Sequence, residues 1–286
     1  MTVLDVIQRS TEFLLKKGVD SPRLQAELLL AHVLNLRRMQ LYLHFDRTLA
    51  PAEIEQCREL VQRRGRHEPL QYITGTACFC GLDLAVGPEV LIPRPETELL
   101  AERAWGYLNK LVSEGTEVPL VLDFGSGSGC LAIAVAVHCP TARVEALDIS
   151  QRALEVAAGN AARHRVAERT HFSHGSIPAV FPVETHFDLL LSNPPYIPTA
   201  EIETLAPEVR EHEPRSALDG GVDGLNFYRS LAEHGRPLLK PAGRLMVECG
   251  DGQAEPVRRL LENQKWIVEE IVQDYTQRPR IVIAHK

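Results

Sequence analysis

The segment from residue 118 to residue 129 constrains this chain more than any other. Residues 118–124 form an apolar run with β-branched members. The run leads into Asp123-Phe124-Gly125-Ser126-Gly127-Ser128-Gly129 and then into a helical pattern over 130–138. A strand that is apolar on both faces suits a parallel sheet covered by helices on each side. Glycines at its end permit positive φ and let a ligand approach the backbone. The alternation continues with a strand at 143–148, an alanine-rich helix at 151–164, a third strand before Ser176, and a strand at 186–192. A helix at 225–239, a strand at 243–248 and a helix at 254–263 follow, before closing strands at 266–272 and 280–284. The expected fold is α/β: a doubly wound, Rossmann-like sheet of seven strands.

The first 70 residues read differently. Leu4, Ile7 and Leu14 recur at helical spacing, Gly18 stops the run, and Ser21-Pro22 opens a second helix as cap and first residue. Leu24, Leu28 and Leu29 mark its expected apolar face, and Pro51 begins a third helix that ends near Arg63, Arg64 and Arg66. The arginines read as a solvated face. Residues 71–90 are rich in strand formers (Tyr72, Ile73, Thr74, Phe79, Leu82, Leu84) punctuated by Gly75, Gly81 and Gly87, and predict a β-hairpin. The expected organisation is a small helical bundle over 1–70, a hairpin linker over 71–90 and the α/β domain over 91–286.

Hydrophobic residues make up 44% of the 286-residue chain, enough for a sizeable core, and the formal net charge is -7. A net negative surface repels phosphate backbones, so direct nucleic-acid binding is not expected. The six cysteines are scattered without paired ligand spacing, which predicts reduced thiols and no metal site. No signal peptide and no apolar stretch of about 20 residues is visible, so a soluble cytoplasmic protein is expected.

The glycine loop does not fit a dinucleotide fingerprint, because position 130 is Cys where a third glycine is required. A P-loop is excluded as well, since no Gly-Lys-Ser/Thr follows. The second strand ends at Asp148, whose carboxylate can accept from both hydroxyls of a ribose. Loop and acid together specify a ligand containing adenosine without saying which one. Their spacing resembles that of class I methyltransferases, which bind S-adenosylmethionine.

The strand ending at Ser192 runs into Asn193-Pro194-Pro195-Tyr196. In an open α/β sheet, ligands bind beyond the carboxyl ends of the strands at the switch point, so this corner is expected to face the glycine loop. Two prolines stiffen it and remove two backbone donors. The Pro194 carbonyl and the Asn193 side-chain oxygen remain as acceptors, suited to both N–H bonds of a planar –NH₂ group. An amide or aromatic amine is a poor nucleophile, and acceptors around its nitrogen stabilise the positive charge that methylation creates. Tyr196 offers a flat face for packing. The same corner occurs in methyltransferases acting on exocyclic adenine or guanine nitrogens and on glutamine amides.

With those residues in view, the chain resembles the protein-(glutamine-N5) methyltransferases of peptide-chain release factors along essentially its full length. The matching segments include Ser21-Pro22-Arg23, Glu68-Pro69 with Thr74-Gly75, Ile92-Pro93-Arg94-Pro95-Glu96-Thr97-Glu98, Asp123 to Gly129, Ser192 to Ile197, Leu218-Asp219-Gly220-Gly221, and Glu248 with Gly250 and Gln253. The resemblance implies S-adenosylmethionine as cofactor, held by Gly125, Ser126, Gly127, Ser128, Gly129, Asp148 and Asn193. It implies Asn193, Pro194 and Tyr196 as the catalytic set and adds Pro195 as a substrate contact. The implied target is the glutamine of the release factor's Gly-Gly-Gln loop, with the helical domain docking the protein substrate. Ser176-Ile177 departs from the family pattern, which has an acid before a large apolar or aromatic residue; Ile177 is the expected cover for the adenine ring. Arg94, Glu96 and Thr97 read equally as cofactor-side residues or helix caps, and Glu248 as packing or capping.

Overall fold

A computed structural model describes residues 1–176 and 186–286. It comprises two compact units, residues 1–76 with 206–212, and residues 77–205 with 213–286.

The first unit is helical: α1 (Val3–Lys16), α2 (Pro22–Val33), α3 (Pro51–Arg64) and the short α4 (Leu70–Thr74). Thr2 and Asp5 form a capping box at the start of α1. Of the expected face of α2, Leu29 is buried, Leu28 is half-buried and Leu24 is exposed, and Ala26 and Leu30 join Leu29 on the buried face. Residues 26, 29 and 30 follow the three-and-four spacing that one helical face requires, and Leu24 falls off it. Ser21 precedes α2 at φ 48 with no side-chain cap bond, so its expected capping role is not met. Arg64 is also not solvated. It is buried, and its guanidinium donates to Gln25 Oε1, to the Glu68 carbonyl at 3.0 Å and to Glu208 Oε2 at 2.5 Å. Residues 72–74, read as strand formers, are helical, because Pro69 starts a turn whose apolar side, Tyr72 and Ile73, is buried.

The hairpin is confined to β1 (Thr76–Phe79) and β2 (Leu82–Ala85). Its two-residue turn has Cys80 at φ 50 and Gly81 at φ 75. Positive φ at both positions matches the right-handed twist of the flanking strands. The Cys80 amide donates to Glu98 Oε1 at 2.8 Å, at the start of α5 (Pro95–Ser113).

The remaining elements are β3 (Leu120–Phe124), α6 (Cys130–His138), β4 (Arg143–Asp148), α7 (Gln151–Arg163), β5 (Thr170–His174) and β6 (Phe187–Ser192). After the short α8 (Pro207–His212) of the first unit come α9 (Asn226–His234), β7 (Leu239–Glu248), α10 (Ala254–Asn263), β8 (Ile267–Gln273) and β9 (Pro279–His285). Among the described residues the sheet has seven strands in the order β5-β4-β3-β6-β7-β9-β8, with β9 antiparallel to both neighbours and the other pairings parallel. The doubly wound α/β expectation holds. Successive residues of one strand feed opposite layers: Val121, Leu189 and Leu191 enter one buried cluster, and Leu122, Leu190 and Leu245 the other. That is why the strands read as continuous apolar runs.

The winding reverses at β3. The chain leaves β3 toward β4 and β5, then returns to pair β6 on its other edge, Val121 opposite Leu189 and Asp123 opposite Leu191. Two neighbouring carboxyl ends with diverging connections leave a crevice between them.

Candidate active site

Gly125, Gly127 and Gly129 have φ of 78, 55 and 80°, the left-handed region that other residues enter at a cost. At Gly129 space is also decisive: a Cβ would stand 3.0 Å from both Ala157 Cβ and Ile133 Cδ1. The loop is tied to the next strand by Gly127 N–H, which donates to Asp148 Oδ2 at 2.8 Å, and Ser150 N–H donates to Asp148 Oδ1 at 2.8 Å. Each Asp148 oxygen therefore has one backbone donor and one remaining lone pair for a ligand hydroxyl.

A cleft of about 270 Å³ opens here, lined by Gly125, Gly127, Asp148, Asn193 and Pro195 of the expected set, with Val90, Phe124, Ser176, Asp219 and Phe227. The glycine loop, the strand-end acid and Asn193 thus meet in one place. Pro194 is buried and, like Tyr196, is not among the residues lining the cleft. Tyr196 is held by its backbone, its carbonyl accepting from Gln253 Nε2 at 2.8 Å while Gln253 Oε1 accepts from Gly250 N–H at 3.0 Å. Burial pushes its phenol up to about 12. Ile177 lies outside the described residues.

Several polar groups beneath the loop have no partner within the protein: both carboxylate oxygens of Asp123 and the hydroxyls of Ser126 and Ser128, all buried. Burial raises Asp123 to about 7. Unsatisfied polar atoms beside a glycine loop are what a ligand with several hydrogen-bonding groups would satisfy. Apolar Phe227, whose ring centroid is 4.5 Å from that of Phe124, supplies a flat wall. The site therefore fits an adenosine-bearing donor with polar groups at both ends.

The sequence reading missed three supports. Asn193 Nδ2 donates to Thr97 Oγ1 at 2.9 Å, 96 positions earlier in the chain, which leaves Oδ1 as the free end of the amide. Asn160, fully buried in α7, accepts from Ala85 N–H at 2.7 Å and donates to the carbonyls of Ala85 and Ser128 at 3.0 Å each, tying the hairpin to the glycine loop. A polar residue on the buried face of the alanine-rich helix was its visible signal. Glu213 accepts from Arg94 Nη2 at 2.5 Å and from Ile92 N–H at 3.3 Å, tying the proline-rich segment to the loop that follows α8. A separate concavity of about 260 Å³ in the helical unit contains Cys57, but burial pushes that thiol up to about 11 and leaves it inert.

Residues 5–75 match the PrmC N-terminal domain family, and residues 107–211 match the methyltransferase small domain family. The chain is 48% identical over 257 residues to the release factor glutamine methyltransferase of Geobacter sulfurreducens, covering 90% of this chain and 87% of that one. It is 44% identical over 283 residues to the protein of the same name from Chlorobaculum tepidum, covering 98% and 95%. The hMettl16 catalytic domain, solved in complex with a MAT2A 3'UTR hairpin, superposes with a TM-score of 0.55 at 13% identity over 82% of each chain, a likeness of fold alone. Fold, cleft and relatives together define a methyltransferase that uses a donor of the S-adenosylmethionine type. Within that class, the chain belongs to the release factor glutamine methyltransferase family.

Proposed function

We propose that this chain transfers the methyl group of S-adenosylmethionine to the side-chain amide nitrogen, N5, of the glutamine in the Gly-Gly-Gln loop of peptide-chain release factors. The observation that carries the reading is the Asn193 amide, fixed through its nitrogen and free at its oxygen, in the same cleft as Gly125, Gly127 and Asp148. The names of the relatives support the substrate.

The donor would be held by residues 125–129 and by the free lone pairs of Asp148, with Ile177 proposed against the adenine. When bound, it supplies an electrophilic methyl on a sulfonium. The remaining work falls to the chain. Asn193 Oδ1 and the Pro194 carbonyl accept the two N–H bonds of the glutamine carboxamide and hold its nitrogen in line with the cleft. They also stabilise the positive charge that the nitrogen acquires, and no base is needed beforehand because the proton leaves after transfer. Pro195 and Tyr196 pack the flat group. Residues 1–70 would dock the release factor, residues 71–90 would act as linker and residues 91–286 would carry the chemistry. No helix among the described residues is long and apolar enough to cross a membrane, and a substrate of the translation machinery fits a cytoplasmic setting.

The test is transfer of labelled methyl to purified release factor, wild type against Gln→Ala in the Gly-Gly-Gln loop. Label is expected on the wild-type substrate alone. Label that persists on the alanine substrate overturns the assignment and points to another planar amino group. Transfer to nucleic acid in the same assay would do so as well.

A further inference from the structure

Proline at 194 and at 195 leaves the corner with no backbone N–H at either position, so the turn cannot be pinned through its own donors. It has to be held at its ends and through its carbonyls. At the front, the buried Ser192 hydroxyl donates to the Phe124 carbonyl at 2.5 Å, and Asn193 Nδ2 donates to Thr97 Oγ1 at 2.9 Å. At the back, the Tyr196 carbonyl accepts from Gln253 Nε2 at 2.8 Å. Gln253 immediately precedes α10, and its other end, Oε1, accepts from Gly250 N–H at 3.0 Å. The polarity of this amide is fixed at both ends. A backbone N–H only donates and a carbonyl only accepts, so Gln253 cannot turn over without losing both bonds. Two glycines clear the path. A Cβ on Gly224 would stand 2.3 Å from the Tyr196 carbonyl oxygen and 2.6 Å from Gln253 Nε2. One on Gly250 would stand 2.8 Å from Gln253 Oε1 and 2.9 Å from Tyr196 Cδ2.

We propose that Gln253 is a positioning residue for methyl transfer, which sets the Asn193–Tyr196 turn from behind by holding the Tyr196 carbonyl. The proposal rests on the reading of Asn193 and of the Pro194 carbonyl given above. The prolines fix φ at 194 and 195, so the freedom left in the turn lies in ψ at those residues and in the torsions at its ends. Ser192 and Asn193 tie the front end, and the Gln253 bond ties the far end. Held at both ends, the turn keeps one orientation of the Pro194 carbonyl and of the Tyr196 ring. Gln253 is not among the residues lining the cleft. Its loss therefore displaces the groups that take the substrate amide and leaves the glycine loop where it is. In-line transfer is sensitive to such displacement on the scale of about 1 Å.

The experiment compares the wild type with Gln253→Glu and Gln253→Met, measuring kcat for release-factor methylation and, by calorimetry, the Kd of S-adenosylmethionine. Gln253→Glu keeps the shape and the acceptor toward Gly250, but it sets a carboxylate oxygen against the Tyr196 carbonyl. At about pH 8, where that carboxylate is ionised, kcat is expected to fall by about 10- to 100-fold, up to the loss a 1 Å misplacement causes. Kd should stay within about twofold. Gln253→Met keeps the volume and removes both bonds without opposing two oxygens, so it should be slower than the wild type and no slower than the glutamate variant. A role in packing alone predicts the reverse order, with the near-isosteric glutamate close to wild type. Unchanged kcat in Gln253→Glu, or a Kd that rises in step with the fall in kcat, overturns the proposal. So does a glutamate variant faster than the methionine variant. Should Gln253→Glu fail to bind the donor because it does not fold, Gln253→Met decides, and unchanged kcat there overturns the positioning role. A wild-type enzyme that leaves the release-factor glutamine unmodified overturns the substrate reading first, a result visible before any variant is made.

Discussion

Replacing Asp123 by Asn removes an ionisable group from the least accommodating place in the sheet. Asp123 is fully buried at the end of β3, neither carboxylate oxygen has a hydrogen-bond partner within the protein, and the neighbouring Asp148 adds like charge. Burial, the dominant cause, raises it from 3.8 to about 7. Between those two pH values the folded protein holds a proton that the unfolded chain has released, so folding weakens as pH rises through the window. The window spans about three pH units at about 1.4 kcal/mol each, which gives about 4 kcal/mol in full. About 2–3 kcal/mol of this falls between pH 5 and pH 8. Asparagine carries its own cost for a buried amide, but that cost does not vary with pH and cancels when the two conditions are compared. The assay is urea unfolding of the donor-free protein at pH 5 and pH 8, wild type beside Asp123→Asn, with the slopes checked for equality. The stability difference, wild type minus variant, is expected to be about 2–3 kcal/mol larger at pH 5. An identical difference at the two pH values would mean that Asp123 stays ionised inside the protein, and the account of the site's electrostatics would fail.

Three further outcomes are expected. Asn193→Ala removes the acceptor that faces the substrate and should lower kcat by about 10²- to 10³-fold, with the Kd of S-adenosylmethionine changed by far less; equal losses in both would place its role at the donor. Gly224→Ala puts a Cβ 2.3 Å from the Tyr196 carbonyl oxygen and 2.6 Å from Gln253 Nε2 at φ +74°, so thermal unfolding should show a loss of about 2 kcal/mol or more. Asn160→Ala strands the Ala85 amide and the Ala85 and Ser128 carbonyls; the expected cost is about 2–4 kcal/mol, with weaker donor binding because the glycine loop loses its tether, and donor affinity at the wild-type level would refute that coupling.

The glycine loop, the acid at the end of β4 and the proline corner after β6 were legible because each is local. Glycines at 125, 127 and 129 announce a backbone that needs positive φ, and consecutive prolines announce a rigid turn. Runs apolar on both faces announced a covered parallel sheet, and the doubly wound rule then predicted that β3 and β6 lie side by side. Less was legible in the helical unit. Helical spacing places Leu29 correctly on the buried face of α2 but not Leu24, and nothing near Arg64 in sequence reveals Glu208, 144 positions away.

What the chain order alone determined is therefore the alternation of elements, the loop that takes a ligand, and the stiff turn that carries an asparagine beside it. Those follow from residue types acting on their own backbone. What only the tertiary structure decided is the direction in which that asparagine points, and which buried groups are left without partners. The contact between Asn193 and Thr97 joins two segments through the packing of α5 on the sheet, and side-chain orientation is set by whichever donor or acceptor the fold brings within 3 Å.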